Sequence, residues 1–157
     1  MSKGRRSAVV LLVAVVVVGC FEREAYDAPG SSAIAALAHK CISLKVPAYL
    51  VTGADEDWSD SYLVSPANPP NTGTLLPAGQ QLIVIRIVLK HSFEGRYAIV
   101  VGKCAGARRC GNKKINLFYV FDQQWLHAAQ EAAFEGHPNS PTGFASVLSP
   151  ERAEWCN

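Results

Sequence analysis

Residues 81–90, QLIVIRIVLK, constrain the fold more than any other stretch of this 157-residue chain. Half of these ten residues are Ile or Val, whose branched side chains favour the extended backbone of a strand. The apolar residues follow one another almost without interruption, which is typical of a strand buried on both faces. We therefore expect the strongest strand of the protein here, within a β-sheet.

Shorter segments with strand character surround this one. An alternation of apolar and polar residues predicts a strand at 42–46, which Pro47 interrupts and which residues 48–51 continue. We also expect strands at 61–65, 97–103 and 115–121, the last two forming a meander with residues 81–90. Between them, residues 66–80 hold four prolines and predict a long loop of polyproline character.

Helical signals are few. Asp122 offers an N-cap to a helix over QQWLHAAQEAAFE, and Gly136 offers its stop. Ser149 and Pro150 predict a short C-terminal helix ending near Cys156. The sum is a mainly β fold with one helix (α+β): a small, disulfide-stapled, partly open β-barrel, SH3-like or a sandwich, over residues 41–157.

The N-terminus has the three parts of a secretory signal: basic residues, a short apolar run and a small residue at its end. The apolar run covers residues 7–19, which is too short for a spanning helix of about 20 residues. Without Lys3, Arg5 and Arg6 the chain keeps 12 basic residues against 13 acidic ones, a formal charge of −1. Global charge therefore gives no argument for a nucleic-acid partner.

The four residues VVGC, 17–20, resemble the lipobox of bacterial lipoproteins, with Val17 where that family usually has Leu. The resemblance covers residues 1–20 and implies cleavage after Gly19 and acylation of Cys20 with diacylglyceryl and palmitate-type chains. The polar start of the following segment, with Pro29 and Gly30, predicts a tether over residues 20–40. Phe21 rather than Asp then implies an outer-membrane, periplasm-facing lipoprotein. A plain secretory signal and an uncleaved inner-membrane anchor are the alternatives.

Lipidation of Cys20 would leave four cysteines, an even number in an oxidising compartment. They permit three connectivities, of which we favour Cys104–Cys110, closing a short loop, and Cys41–Cys156, joining the ends of the domain. A four-thiolate zinc site normally needs two close cysteine pairs, and only one exists here. We predict no metal and no cofactor.

Three segments are the candidate contact surfaces: the proline-rich loop over 66–80 and two segments of opposite charge. Residues 103–114, KCAGARRCGNKK, contain five basic residues that could bind anionic headgroups, cell-wall polymers or an acidic protein: Lys103, Arg108, Arg109, Lys113 and Lys114. Residues 55–60 form an acidic loop, where Trp58 could anchor a partner or belong to the core. This loop does not match a calcium-binding loop, because Asp60 stands where glycine is needed.

These features favour a lipid-anchored envelope protein with a non-catalytic binding or structural domain. An inhibitor or immunity lipoprotein that blocks a cell-wall hydrolase is the alternative among binding proteins, and a small periplasmic hydrolase is the alternative among enzymes. No contiguous nucleophile or metal-hydrolase motif occurs in the sequence. The expected partners are the membrane, through Cys20, and an envelope protein or the cell wall.

The substitution Cys20→Ser removes the residue that the lipobox resemblance predicts to carry the lipid. We expect this variant to lose incorporation of labelled palmitate and to be released from salt-washed membranes, because acyl chains supply the stable attachment. Fractionation followed by intact-mass analysis measures both effects. A variant that stays in the membrane pellet would instead support a true span.

Overall fold

A computed structural model describes residues 21–24, 32–56, 59–92, 95–106, 108–137, 141–143 and 145–157. In chain order, the elements of these ranges are β1 (Phe21–Glu24), α1 (Ser32–Ala35), β2 (Cys41–Leu44), β3 (Ala48–Glu56), β4 (Ser59–Val64), β5 (Thr74–Leu76), β6 (Gln81–Ser92), β7 (Gly95–Cys104), β8 (Ile115–Asn116), α2 (Gln123–Glu135) and β9 (Ala153–Trp155). A search of these ranges finds no helix that is both long and apolar enough to cross a membrane.

The strands form one open, curled sheet that makes half a barrel. Their order is β5-β3-β4-β8-β7-β6-β2-β9, and β1 pairs with β6 outside this path. Neighbouring strands are antiparallel except β4 and β8, which run parallel. The mainly β fold with one substantial helix is confirmed, whereas the SH3-like or sandwich detail stays a prediction.

The predicted strand at 81–90 makes up the first ten of the twelve residues of β6, and its burial on both faces is confirmed. Leu82, Val84, Ile87 and Leu89 lie in the main core, while Val88 joins a second cluster on the other face. One edge of β6 pairs with β7 over nearly its whole length. Its other edge pairs with β2 near its start and with β1 near its end.

Helix α2 packs on the core through one face and is fastened to the sheet by a buried amide. The predicted caps are confirmed: Asp122 accepts a hydrogen bond from the Trp125 N–H at 2.8 Å, and Gly136 is left-handed. Gln130 accepts from the Ala98 N–H at 2.8 Å and donates to the Arg96 carbonyl at 2.6 Å. Because its oxygen and its nitrogen both have partners, this amide can be buried at small cost.

Both favoured disulfides are present. Cys41–Cys156 joins the start of β2 to the residue after β9, with the two Cα atoms 5.3 Å apart. Cys104–Cys110 closes the turn that follows β7, with a Cα separation of 6.0 Å. The first disulfide reinforces the pairing of β9 with β2 at one edge of the sheet.

Two predicted elements at the C-terminal end of the chain are wrong. The strand expected over 115–121 stops at Asn116, because the Asn116 side chain accepts the Phe118 N–H at 2.9 Å and starts a 3-10 turn. The helix expected after Ser149 is a single turn, in which the Ser149 carbonyl accepts the Arg152 and Ala153 N–H groups. After this turn the chain continues as β9 instead of as a helix. Its backbone groups then form their hydrogen bonds with β2.

Two predicted loops are shorter than expected. The loop over 66–80 contains β5, because residues Thr74–Leu76 pair with β3. The acidic loop is mostly strand, since β3 extends to Glu56 and β4 begins at Ser59. Residues 57–58, including Trp58, lie outside the described part of the chain, as does Cys20.

The segment before Cys41 contributes to the core. Ile34 and Leu37 are 0% and 4% exposed, so the packed unit includes residues of the predicted tether. On β7, Gly102 is a position that only glycine fits, because a Cβ atom there would collide with the Leu117 side chain and lie 3.0 Å from the Ile83 carbonyl oxygen. This close approach lets the chain after β8 pack directly on the sheet.

The two disulfides differ greatly in the length of chain they close, which predicts unequal effects on stability. Residues 41 and 156 are 115 apart, whereas residues 104 and 110 are 6 apart. Replacing both cysteines of the long bridge with serine should lower the free energy of unfolding by about 4–5 kcal/mol. The same replacement at the short bridge should lower it by about 2 kcal/mol. Urea unfolding of the two double variants measures this, and equal losses would contradict the expectation.

Candidate anion-binding site

The basic loop, defined as residues 103–114, is held in a compact turn. The disulfide between Cys104 and Cys110 brings the chain back to the end of β7. Gly106 and Gly111 have φ angles of 95° and 57°, in the left-handed region where glycine is favoured. Local sequence therefore specifies this turn: the cysteines set its length and the glycines permit its reversals.

A cavity of about 480 Å³ lies between this loop and the start of β6. Three of the five predicted binding residues line it, namely Lys103, Lys113 and Lys114. Its other lining groups are Ile83, Ile85, Cys104, Ala105, Gly106, Gly111 and Asn112. The cavity thus combines three ammonium-bearing chains with an apolar strand surface.

The acidic segment at β4 holds the basic loop in place. The Asp60 carboxylate accepts the backbone N–H of Lys114 at 2.6 Å. The carbonyl of Lys114 in turn accepts the N–H groups of Asp60 and Ser61, at 3.0 and 3.1 Å. The Lys113 ammonium donates to the Thr52 hydroxyl at 2.6 Å. The two segments of opposite charge therefore meet, and Asp60 bonds to the backbone of the loop.

Four of the five cations of the loop have no carboxylate partner among the described residues. In the part of the chain that the structure describes, no carboxylate forms an ion pair with Lys103, Arg108, Arg109 or Lys114. Arg108 and Arg109 are exposed in the turn between the two cysteines and do not line the cavity. The predicted set therefore divides into three lysines at the cavity and two arginines at the tip of the loop.

A second cavity, which the sequence did not reveal, opens on the same sheet. This aromatic cleft has a volume of about 420 Å³ and is lined by Tyr62, Leu63, Asn116, Phe118, Tyr119, Gln123 and Arg152. Its residues come from β4, β8, the 3-10 turn, α2 and the turn before β9. These segments are far apart in the sequence, so no spacing pattern links them. Because a strand was predicted over 115–121, the outward turn of Phe118, which is 56% exposed, was not predicted.

Arg152 organises one side of the aromatic cleft. Its guanidinium lies 4.8 Å from the centre of the Tyr119 ring and donates to the Tyr119 carbonyl at 3.1 Å. Its Nε lies 3.4 Å from the Glu151 carboxylate. A hydrogen bond from the Ser149 hydroxyl, aided by a backbone hydrogen bond and by nearby Arg152, lowers the pKa of Glu151 below its usual value. Glu151 therefore stays ionised beside Arg152 at neutral pH.

The described residues give no sign of a metal centre, because no group of three or more His, Cys, Asp or Glu among them could hold an ion. Comparison with protein families, curated proteins and solved structures found no match to this chain. The two cavities and the N-terminal motif are therefore the features of the chain that bear on its function.

We expect the hydrogen bond between Asp60 and the Lys114 backbone to protect the basic loop from hydrogen exchange. Asp60→Ala leaves that N–H without its acceptor and should speed hydrogen exchange of the Lys114 amide by roughly tenfold. Asp60→Asn is the matched control, since its side-chain oxygen can still accept and should preserve much of the protection. Equal exchange in the alanine variant and the wild type would show that this bond does not hold the loop.

Proposed function

We propose that this protein is a lipid-anchored bacterial envelope protein whose β domain binds an anionic envelope component and does not catalyse a reaction. The observation that supports this best is the basic loop: a disulfide-closed turn with four cationic side chains that no described carboxylate pairs. Clustered cations that no described carboxylate neutralises suit an anionic ligand.

The way the loop is held supports a binding role. The Cys104–Cys110 bridge, the Asp60 carboxylate and the Thr52 hydroxyl all restrain it before any ligand arrives. A restrained loop loses little conformational freedom on binding, so more of the interaction energy appears as affinity. Its exposed arginines add long-range attraction for an anionic partner.

The N-terminal motif supports the proposed location of the protein. In this proposal residues 1–19 are removed as a signal peptide, Cys20 carries the lipid, and the domain faces the periplasm from the outer membrane. Several acyl chains on one residue attach a domain stably without a spanning helix. An SH3-like geometry of the curled sheet belongs to the same proposal.

An inhibitor or immunity lipoprotein is a second candidate, and the aromatic cleft favours it. Exposed Phe118 and Tyr62, together with Arg152, are the residue types that contribute most to protein–protein binding energy. The lining of the cleft contains neither a serine–histidine nor a cysteine–histidine pair. It therefore supports a contact with a hydrolase better than it supports a hydrolase of its own.

Reversing the charge at the tip of the loop tests the leading proposal. The double variant Arg108→Glu, Arg109→Glu in the full-length protein should reduce binding to isolated envelope fractions by roughly tenfold, because two attractive contacts become repulsive. Sedimentation with purified outer-membrane vesicles and with peptidoglycan sacculi measures binding to each fraction.

Lys40→Glu is the matched control for this experiment, because Lys40 is an exposed cation outside the basic loop. It should bind like the wild type. If the double variant binds both fractions as well as Lys40→Glu does, the basic loop is not the binding surface and the proposal fails.

A further inference from the structure

The cavity under the basic loop contains more hydrogen-bond donors than its lysines alone supply. Gly106, Gly111 and Asn112 line it, and their backbone N–H groups donate to no acceptor in the described part of the chain. Turns that combine right- and left-handed residues expose such N–H groups as concave anion sites. The left-handed φ angles of Gly106 and Gly111 provide this kind of turn.

The number of donors indicates the class of anion. Lys103, Lys114 and Asn112 line the cavity with the three backbone N–H groups, while Lys113 also lines it but already donates its ammonium to the Thr52 hydroxyl. A carboxylate offers two oxygens in one plane, whereas the phosphodiester of a phospholipid carries two anionic and two ester oxygens in a tetrahedron around one phosphorus. Lysine ammonium groups bind phosphate as point charges without the planar pairing that arginine gives to carboxylates. The donor set therefore fits a phosphate better than an acidic protein side chain.

The remainder of the lining is apolar. Ile83 and Ile85 are both partly exposed, and they lie on β6 beside Lys103 of β7. A free inorganic phosphate would leave this surface unused. A phosphate ester with an attached hydrocarbon group would cover it and remove apolar area from water.

The position of the lipid anchor suggests where such an ester is found. Phe21, which directly follows Cys20, pairs with His91 near the end of β6. Ile83 lies eight residues earlier on the same strand, about 26 Å along it at the usual rise per residue. The anchor and the cavity therefore lie towards opposite ends of β6, and a strand lying along the membrane surface would bring both to the headgroups.

We infer that the basic-loop cavity binds the phosphate of an anionic phospholipid headgroup in the anchoring membrane, with Ile83 and Ile85 covering the first part of its hydrocarbon. This inference rests on the proposed lipid anchor. The acyl chains at Cys20 and the cavity then form a two-point attachment that lays β6 along the bilayer. A basic segment and a lipid anchor on one domain strengthen membrane attachment together, because each lysine near an anionic surface adds to the attraction.

Hydrogen exchange on the lipidated full-length protein in vesicles tests this inference. Vesicles of phosphatidylcholine alone are compared with vesicles of phosphatidylcholine and phosphatidylglycerol in equal parts, each with and without added inorganic phosphate. Amides in residues 103–114 should exchange roughly fivefold or more slowly in the phosphatidylglycerol vesicles only. The variant Lys103→Gln, Lys114→Gln should lose this protection, whereas the matched variant Lys40→Gln should keep it.

A further variant, Ile83→Thr, keeps a β-branched side chain and tests the apolar contact. It should reduce the protection of amides 103–114 from hydrogen exchange, while exchange in β6 and β7 stays unchanged. Equal protection by inorganic phosphate in phosphatidylcholine vesicles would overturn the headgroup assignment. An absence of protection with every probe would overturn the site itself. Failure of the proposed anchor is recognised separately, since the protein would then not stay with either kind of vesicle.

Discussion

The antiparallel pairing of β6 with β7 is the interaction on which the rest of the structure depends. It runs from Leu82 opposite Cys104 to Ser92 opposite Gly95. The two strands bury apolar side chains on both faces of the sheet, in the main core and in a smaller second cluster. Strands β1, β2 and β8 add to the edges of this ribbon, and α2 is tied to β7 through Gln130. The sheet therefore grows outward from one hairpin.

The same hairpin positions both features that we associate with function. Where β7 ends, the disulfide-closed turn presents its cations over the start of β6. Where β6 ends, β1 places the residue after Cys20 beside His91. Proposed binding and proposed anchoring thus lie at the two ends of one rigid ribbon. If both proposals hold, this arrangement would fix the orientation of the domain relative to the membrane, because the β6–β7 ribbon connects the two attachment points directly.

Sequence reasoning succeeded where the physical cause is local. Residues 81–90 are so rich in branched apolar side chains that a buried strand was predictable from them alone, and the caps Asp122 and Gly136 act within a single helical turn. It failed where distant pairing decides the outcome. Residues 74–76 and 153–155 become strands only because β3 and β2 offer them partners, and Phe118 turns outward because of the Asn116 side chain.

The sequence by itself determined the strand-rich core, the capped helix and the cluster of five cations within and beside the segment from Cys104 to Cys110. Each of these depends on residue type and spacing over a few positions. Only the tertiary structure decided that three of those cations share a cavity with Ile83 and Ile85, that Asp60 holds their loop, and that the aromatic cleft exists. These features join residues far apart in the chain, and their meeting is set by sheet order and register, which local patterns do not encode.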